Sequence, residues 1–397
     1  MDRRTSVVAL AVAALAAAVG AASPTAASPT AAPPTAASAT ASSPTASSAT
    51  PAGSTASPVT KGSPTPTPPA SPARSDGTLQ ILTYHGYADY ADTTAEFEKV
   101  TGCRIARFDT VQTAAEMRDR AAQRPYDVIS AGPALAAELV ESGQVQPIDT
   151  AEVAGYTDLS KRFRDMSIKS GKVYGVPYLW GSHEFLYDSS RVKDGDDLRR
   201  VFDSDDVALQ DSPLTIADAA LTDEDVDDPY ELTEEQLDRA VQLLAEHAER
   251  TYWRNPLDLV KGFATGRLDY AQATPYYRLL LEKAGKPVKA VTLARTTGWV
   301  DSWMLGAGVP DTECAYRWLG YTTSATVQRK AAAWVGLAPA NPKACTRGAK
   351  RVCDAYGVGK DSRLDRIAFA VRPPGGCADG KCAGYQAWIG HWRKLAE

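Results

Sequence analysis

The sequence lacks the signatures of the common enzyme classes. Its 397 residues contain no Walker P-loop, no HExxH, no GxSxG and no glycine-rich dinucleotide fingerprint. Histidine is scarce, with four residues in all, so the chain offers few bases for a hydrolytic triad and few ligands for zinc. We therefore predict a protein that is not an enzyme and that needs no cofactor or metal. A secreted hydrolase that uses paired carboxylates stays open as the enzyme alternative.

The chain also lacks an excess of basic residues. Residues 1–76 contain four basic and two acidic side chains, so 39 basic and 46 acidic side chains remain in the rest, a net charge of −7. Because nucleic-acid binding relies on positive charge to neutralise phosphates, we expect no nucleic-acid partner.

The N-terminal region, residues 1–76, contains no aromatic residue, so we expect no folded core there. Residues 1–22 have the pattern of a signal peptide, in which Arg3 and Arg4 precede the apolar run Val7–Ala18. Residues 23–76 consist almost entirely of Ala, Pro, Ser and Thr and predict a disordered linker. No cysteine precedes Cys103 to carry a lipid. We expect a protein at the extracellular face of the cell envelope, either secreted or tethered by an uncleaved N-terminal helix.

All six cysteines lie in the remaining part of the chain, and in an exported protein an even number favours disulfides. The short spacings favour two local pairs and leave the third pair to close a long loop. The predicted pairs are Cys345–Cys353, Cys377–Cys382 and Cys103–Cys314.

The pattern from residue 79 to residue 130 predicts alternating strands and helices. Strands are expected at 79–84, 103–108 and 126–130, with helices at 92–101 and 114–122 between them. This order is typical of a parallel sheet, in which ligands bind beyond the carboxyl ends of the strands. The loops that follow the first and third strands, at His85, Gly86 and Tyr87 and at Gly132, are therefore candidates for ligand binding. Further along, Thr233 and Gln236 have the spacing of a helical capping box.

Two segments carry a resemblance to a known family. YGVPYLWG at Tyr174–Gly181 and TTGWVDSW at Thr296–Trp303 resemble the solute-binding proteins of ABC importers, in the branch that includes spermidine/putrescine-binding proteins. The resemblance implies an α/β, two-lobed type II periplasmic-binding-protein fold with crossover hinge strands, a small-molecule solute, a membrane permease as partner and a monomeric protein. We place lobe I at 77–178, lobe II at 179–298, a return to lobe I at 299–345 and a disulfide-stapled C-terminal segment at 346–397. Pro177 is expected at the edge of a sheet or at a hinge.

Trp299 and Asp301 are the leading candidates for the binding site. Residues i and i+2 of a strand face the same side, so the indole and the carboxylate are expected to project together into a cleft. In the resembled polyamine binders, W-x-D stacks on the carbon chain of the ligand and pairs with its ammonium. The resemblance adds Asp211 as an acid from lobe II, whereas Ser212 and Thr215 stand where further acids are expected.

Other departures leave a second ligand open. His85 stands where the family has a tryptophan, and Tyr276 and Tyr277 stand near the place of another. Ferric-ion-binding relatives of this fold use adjacent tyrosines and a histidine, so iron is the alternative to an amino-containing, cationic or polyamine-like solute. The candidate ligand-binding residues are therefore Trp299, Asp301, Asp211, His85, Tyr87, Tyr276, Tyr277 and Gly132.

Overall fold

A computed structural model describes residues 77–89, 92–193, 195–247, 250–308, 312–370 and 380–396. The predicted signal peptide and linker, residues 1–76, lie outside the described residues, and so does Cys377 of the third predicted disulfide. None of the helices in these ranges is long and apolar enough to cross a membrane.

Fifteen strands occur within these ranges. In chain order they are β1 (Thr78–Tyr84), β2 (Arg104–Val111), β3 (Val128–Ala131), β4 (Val145–Gln146), β5 (Ile168–Lys169), β6 (Lys172–Val173), β7 (Val176–Ser182), β8 (Glu184–Asp188), β9 (Val207–Gln210), β10 (Thr251–Trp253), β11 (Tyr270–Ala273), β12 (Val288–Ala290), β13 (Thr296–Gly306), β14 (Ala338–Pro339) and β15 (Ile367–Ala370).

Fourteen α-helices occur within the same ranges. They are α1 (Thr93–Thr101), α2 (Ala114–Gln123), α3 (Pro133–Glu141), α4 (Lys161–Met166), α5 (Leu198–Phe202), α6 (Thr215–Ala220), α7 (Glu234–Ala245), α8 (Leu257–Ala264), α9 (Pro275–Lys283), α10 (Thr312–Thr323), α11 (Ala325–Val335), α12 (Lys350–Tyr356), α13 (Asp361–Leu364) and α14 (Tyr385–Ala396). Short 3₁₀ turns lie at Tyr156–Asp158, Pro342–Ala344 and Arg347–Ala349.

The larger sheet defines lobe I. Its strand order is β14-β7-β13-β3-β1-β2, with β15 and β4 also paired to β13. Strands β2 and β3 run parallel to β1, as the βαβ pattern predicts, while β13 runs antiparallel to β3 and β7. This lobe packs a large apolar cluster around Trp180, Trp303 and Trp318, all of which are fully or almost fully buried.

The smaller sheet defines lobe II, with the order β10-β9-β11-β8-β12. Helix α7 begins at the predicted capping box, in which the Thr233 side chain accepts from the Gln236 backbone amide and the Gln236 side chain accepts from that of Thr233. The C-terminal helix α14 buries Trp388 and Trp392 in the apolar cluster of this lobe.

The chain crosses between the two sheets at His183, which separates β7 from β8, and returns between β12 and β13. As expected, Pro177 lies at a local edge of the sheet, since β14 pairs only with Leu179 and Trp180 of β7 and Pro177 is paired with β13 alone among the described strands. A register shift between Asp301 and Ser302 on the partner strand accommodates Pro177, which has no amide hydrogen to donate.

Two disulfides link described residues. Cys103–Cys314 joins the segment between α1 and β2 to helix α10, and Cys345–Cys353 closes a loop of lobe I. Both are among the three predicted pairs.

Candidate ligand-binding site

Strand β13 presents Trp299 and Asp301 side by side, as their spacing predicts. Trp299 Nε1 donates a hydrogen bond of 3.1 Å to Asp301 Oδ2. The indole covers Gly181 of the neighbouring strand, since a Cβ atom added to this glycine would come within 2.4 Å of the ring. It remains half-buried, so part of the ring is left to form one wall of a site.

Asp301 is only 4% exposed, and it has no positively charged partner among the described side chains. Oδ2 accepts hydrogen bonds from the Tyr87 hydroxyl and from Trp299, both neutral donors. No described residue donates to Oδ1, which faces the bare Cα of Gly132, where a Cβ would lie 3.1 Å away. Burial raises the pKa of this carboxyl to about 6, although its two hydrogen bonds work in the opposite direction.

Tyr87 is held in place by the loop that follows β1. Its ring is 7% exposed, and its backbone carbonyl accepts a hydrogen bond of 2.7 Å from Tyr178. Burial and the neighbouring Asp301 raise the pKa of the Tyr87 phenol well above its ordinary value, so the phenol keeps the proton that it donates. The ring of Tyr84 packs next to that of Tyr87, with the two centroids 5.5 Å apart.

A buried polar network lies next to this pair, at the crossover between the lobes. Asp218 is fully buried, and it accepts hydrogen bonds of 2.7 Å each from the Thr297 hydroxyl and the Gln272 amide. The Nδ1 atom of His183 lies 2.8 Å from Asp218 Oδ2, and its ring centroid is 5.2 Å from that of Trp299. Burial acts to lower the pKa of His183, but the charge and hydrogen bond of Asp218 raise it overall.

Sequence reasoning missed this network. Its members come from the crossover at His183, from strand β13 and from two elements of lobe II, α6 and β11, and their sequence separations give no periodic signal. Polar residues in buried strands, such as Gln272 in β11, are the one local hint, because a fully buried amide requires hydrogen-bonding partners.

Asp211 lies at the carboxyl end of β9 in lobe II, and both of its oxygens are engaged. Trp392 Nε1 donates to Oδ1 over 2.8 Å, and Arg254 donates to Oδ2. The residue therefore anchors the C-terminal helix within lobe II, and its contact with a solute stays a prediction.

His85 is turned toward its own loop. Its side chain is 63% exposed, and Nδ1 lies 2.6 Å from Asp89 Oδ2, while the Gly86 amide donates to Oδ1 of the same aspartate. This loop brings Tyr87 to Asp301 and leaves His85 at its outer edge.

The adjacent tyrosines pack against apolar clusters, Tyr276 against that of lobe I and Tyr277 against one of lobe II. Burial raises the pKa of both phenols. In the described part of the chain, no group of three or more His, Cys, Asp or Glu side chains is placed to hold a metal ion.

A cavity of about 670 Å³ lies on the face of β13 opposite to Asp301, where it is lined by α3, α4, the β5–β6 hairpin and by Val300, Ser302 and Met304. The charged residues that line it have partners of opposite charge, with Lys169 3.0 Å from Glu141 and Arg162 2.7 Å from Asp365 outside the cavity. We place the candidate site at Asp301 because that carboxylate has no charged partner of its own among the described residues.

Comparison with known proteins agrees with this fold. Residues 92–350, more than half of the chain, match the family model described as bacterial extracellular solute-binding protein. The putrescine-binding periplasmic protein SpuD of Pseudomonas aeruginosa strain UCBPP-PA14 is 26% identical over 178 residues, 38% of this chain and 48% of SpuD. The chain thus spans about half the length of the curated relative that it matches.

Two solved structures show the same two-lobed architecture. The spermidine/putrescine substrate-binding protein PotD of Streptococcus pneumoniae superposes with a TM-score of 0.64 at 15% identity, over 80% of this chain and 97% of PotD. The binding protein MotA of A. tumefaciens B6, in complex with glucopine, gives a TM-score of 0.62 at 18% identity, over 81% of this chain and all of MotA. The predicted two-lobed α/β fold is confirmed, and the chain belongs to the family of bacterial extracellular solute-binding proteins.

Proposed function

We propose that this protein is the extracellular binding component of an ABC importer and that it captures a small solute with a positively charged amino group between its lobes. Family membership supports capture rather than catalysis. The relatives SpuD and PotD are named as putrescine-binding and spermidine/putrescine-binding proteins.

The unpaired charge of Asp301 is the observation that carries the proposal. This carboxylate is 4% exposed, and among the described residues its hydrogen-bond donors are Tyr87 and Trp299, so it has lost most of its hydration without gaining a counter-charge from them. An ammonium group bound at Oδ1, the oxygen facing Gly132, would supply that charge. The indole of Trp299 lies next to it and offers an apolar and cation-binding face to the rest of the solute.

Closure follows from the placement of these residues. The site lies where the chain crosses between the sheets, so a solute bound there contacts both lobes only when they come together. The partner in transport would be a membrane permease, and a single copy of the chain contains both lobes, so we propose that it acts as a monomer without nucleic acid.

Thermal shift against matched solutes tests the proposal. Putrescine, spermidine and γ-aminobutyrate carry an ammonium group, and 1,4-butanediol matches putrescine in length without charge. We expect at least one of the three amines to raise the melting temperature at pH 7.5 and the diol to leave it unchanged. An equal shift with the diol, or a response to anions alone, would contradict the cationic assignment. Conversion of a bound amine into a new product, followed by mass spectrometry, would contradict the assignment to capture.

A further inference from the structure

The adjacent tyrosines at the start of α9 face different lobes. Tyr277 packs with the apolar cluster of its own lobe II, whereas Tyr276 packs against the cluster of lobe I. Their ring centroids lie 5.7 Å apart at an interplanar angle of 69°. Pro275 stands at the first position of the helix, where its fixed φ restricts the backbone that carries both rings. Tyr276 is therefore a side chain of one lobe that rests on the other.

Tyr276 packs on Gly336 of lobe I, where there is no space for a side chain. Gly336 ends α11 in the left-handed conformation, with φ of +80°. A Cβ atom at this position would lie 2.1 Å from Cδ1, 2.3 Å from Cγ and 2.5 Å from Cε1 of Tyr276. The ring thus covers the Cα of Gly336. The Tyr356 hydroxyl donates a hydrogen bond of 3.0 Å to the carbonyl of Gly336 and fixes its position in lobe I.

The end of α11 also contacts the loop that forms the solute site. The position of a Cβ atom on Gly86 lies 3.5 Å from Val335 Cγ2 and 3.8 Å from Trp334 Cδ1. Gly86 immediately precedes Tyr87, which donates to Asp301. Val335 and Trp334, which directly precede Gly336, therefore contact the loop whose Tyr87 donates to Asp301.

We propose that the Tyr276 ring packs on Gly336 when the lobes close, and that the absence of a side chain at Gly336 permits this closure. The inference depends on the proposed function, since it gives the contact a role in solute capture. A Cβ atom on Gly336 would push the Tyr276 ring away and hold the lobes apart. Apparent affinity would then fall in proportion to the population of the closed form.

The experiment compares two glycines that have the same backbone conformation. Gly102 also ends a helix in the left-handed region, with φ of +76°, but a Cβ added there meets nothing within 4 Å. Gly102→Ala therefore reproduces the backbone strain of Gly336→Ala without the steric conflict. Calorimetric titration with putrescine should give a Kd at least about tenfold weaker for Gly336→Ala, while Gly102→Ala stays near wild type.

A second variant separates steric conflict from strain. Removing the ring in Gly336→Ala/Tyr276→Ala should restore the affinity to that of Tyr276→Ala alone. The proposal is overturned if Gly336→Ala binds as tightly as Gly102→Ala, or if the double variant stays as weak as Gly336→Ala.

A measurement without solute keeps the inference separate from the proposed function. If putrescine fails to bind even the wild type, small-angle X-ray scattering of the solute-free variants decides the question. A larger radius of gyration for Gly336→Ala than for Gly102→Ala, reversed in the double variant, would support the packing of Tyr276 on Gly336 in the closed form. Equal radii would overturn it.

Discussion

Replacing Asp301 with asparagine should stabilise the solute-free protein and abolish its affinity for a cationic solute. The side chain keeps its size and an oxygen that accepts from Tyr87 and Trp299, but it loses a charge that is 4% exposed and has no described counter-ion. A residue retained for binding at the expense of stability is expected to respond in this way.

The magnitude follows from the raised pKa of the carboxyl. Burial raises the pKa of Asp301 from 3.8 to about 6, and this shift corresponds to about 3 kcal/mol between the protonated and ionised forms. Because the folded state holds this proton more tightly than the unfolded state, the free energy of unfolding falls as the pH rises from about 4 to about 6. Above about pH 6 the folded protein bears the full cost of the buried ionised carboxylate, and below about pH 4 the carboxyl is protonated and this cost is absent.

Urea unfolding at pH 4 and at pH 7.5, followed by tryptophan fluorescence, tests this reasoning. At pH 7.5 we expect the free energy of unfolding of Asp301→Asn to exceed that of the wild type by about 2 kcal/mol. This is somewhat less than the cost of about 3 kcal/mol for the buried charge, because the amide group needs a new hydrogen-bond partner. At pH 4 the difference should vanish or change sign. Asp211→Asn is the matched control, since that carboxylate already has Arg254 as its cationic partner, and its replacement should not stabilise the protein.

The reasoning fails if Asp301→Asn is less stable than the wild type at pH 7.5. Such a result would mean that the ionised carboxylate stabilises the fold through its bonds to Tyr87 and Trp299, and that it needs no solute charge.

Two further predictions concern the disulfide and the indole. Removing Cys103–Cys314, which links residues 211 positions apart, should lower the free energy of unfolding by about 5 kcal/mol in the loop-entropy model; a loss below about 1 kcal/mol in urea unfolding would contradict it. Trp299→Ala should weaken putrescine binding by about 2 kcal/mol, roughly thirtyfold, if the indole is a wall of the site. Unchanged affinity by calorimetry would place the solute elsewhere.

Much of the fold follows from local sequence patterns. The helix at Thr93–Thr101 and the strands on either side of it match the apolar periodicity of residues 79–108, and the capping box at Thr233 begins α7 as its spacing predicts. The register shift beside Pro177 could not be predicted in the same way, because it depends on which strand becomes the neighbour of β7.

The candidate site was predictable in part, where its residues are close in sequence or follow the parallel strands, as Tyr87 and Gly132 do. The alternation of strand residues places Trp299 beside Asp301, but Tyr87 reaches the same carboxylate from 214 positions away. The pairing of His183 with Asp218, and the engagement of Asp211 by Trp392, likewise depend on how the segments pack. No spacing within one segment contains that information.

The proton balance of solute binding tests the central claim most directly. Titrating putrescine at pH 6 in buffers of different ionisation enthalpy gives the number of protons exchanged. Since the pKa of the free Asp301 carboxyl is about 6 and a bound ammonium lowers it, one-to-one binding should release about half a proton at pH 6 and almost none at pH 8. Binding with proton uptake, release that persists in Asp301→Asn, or no binding by any amine would contradict a cationic solute held by this carboxylate.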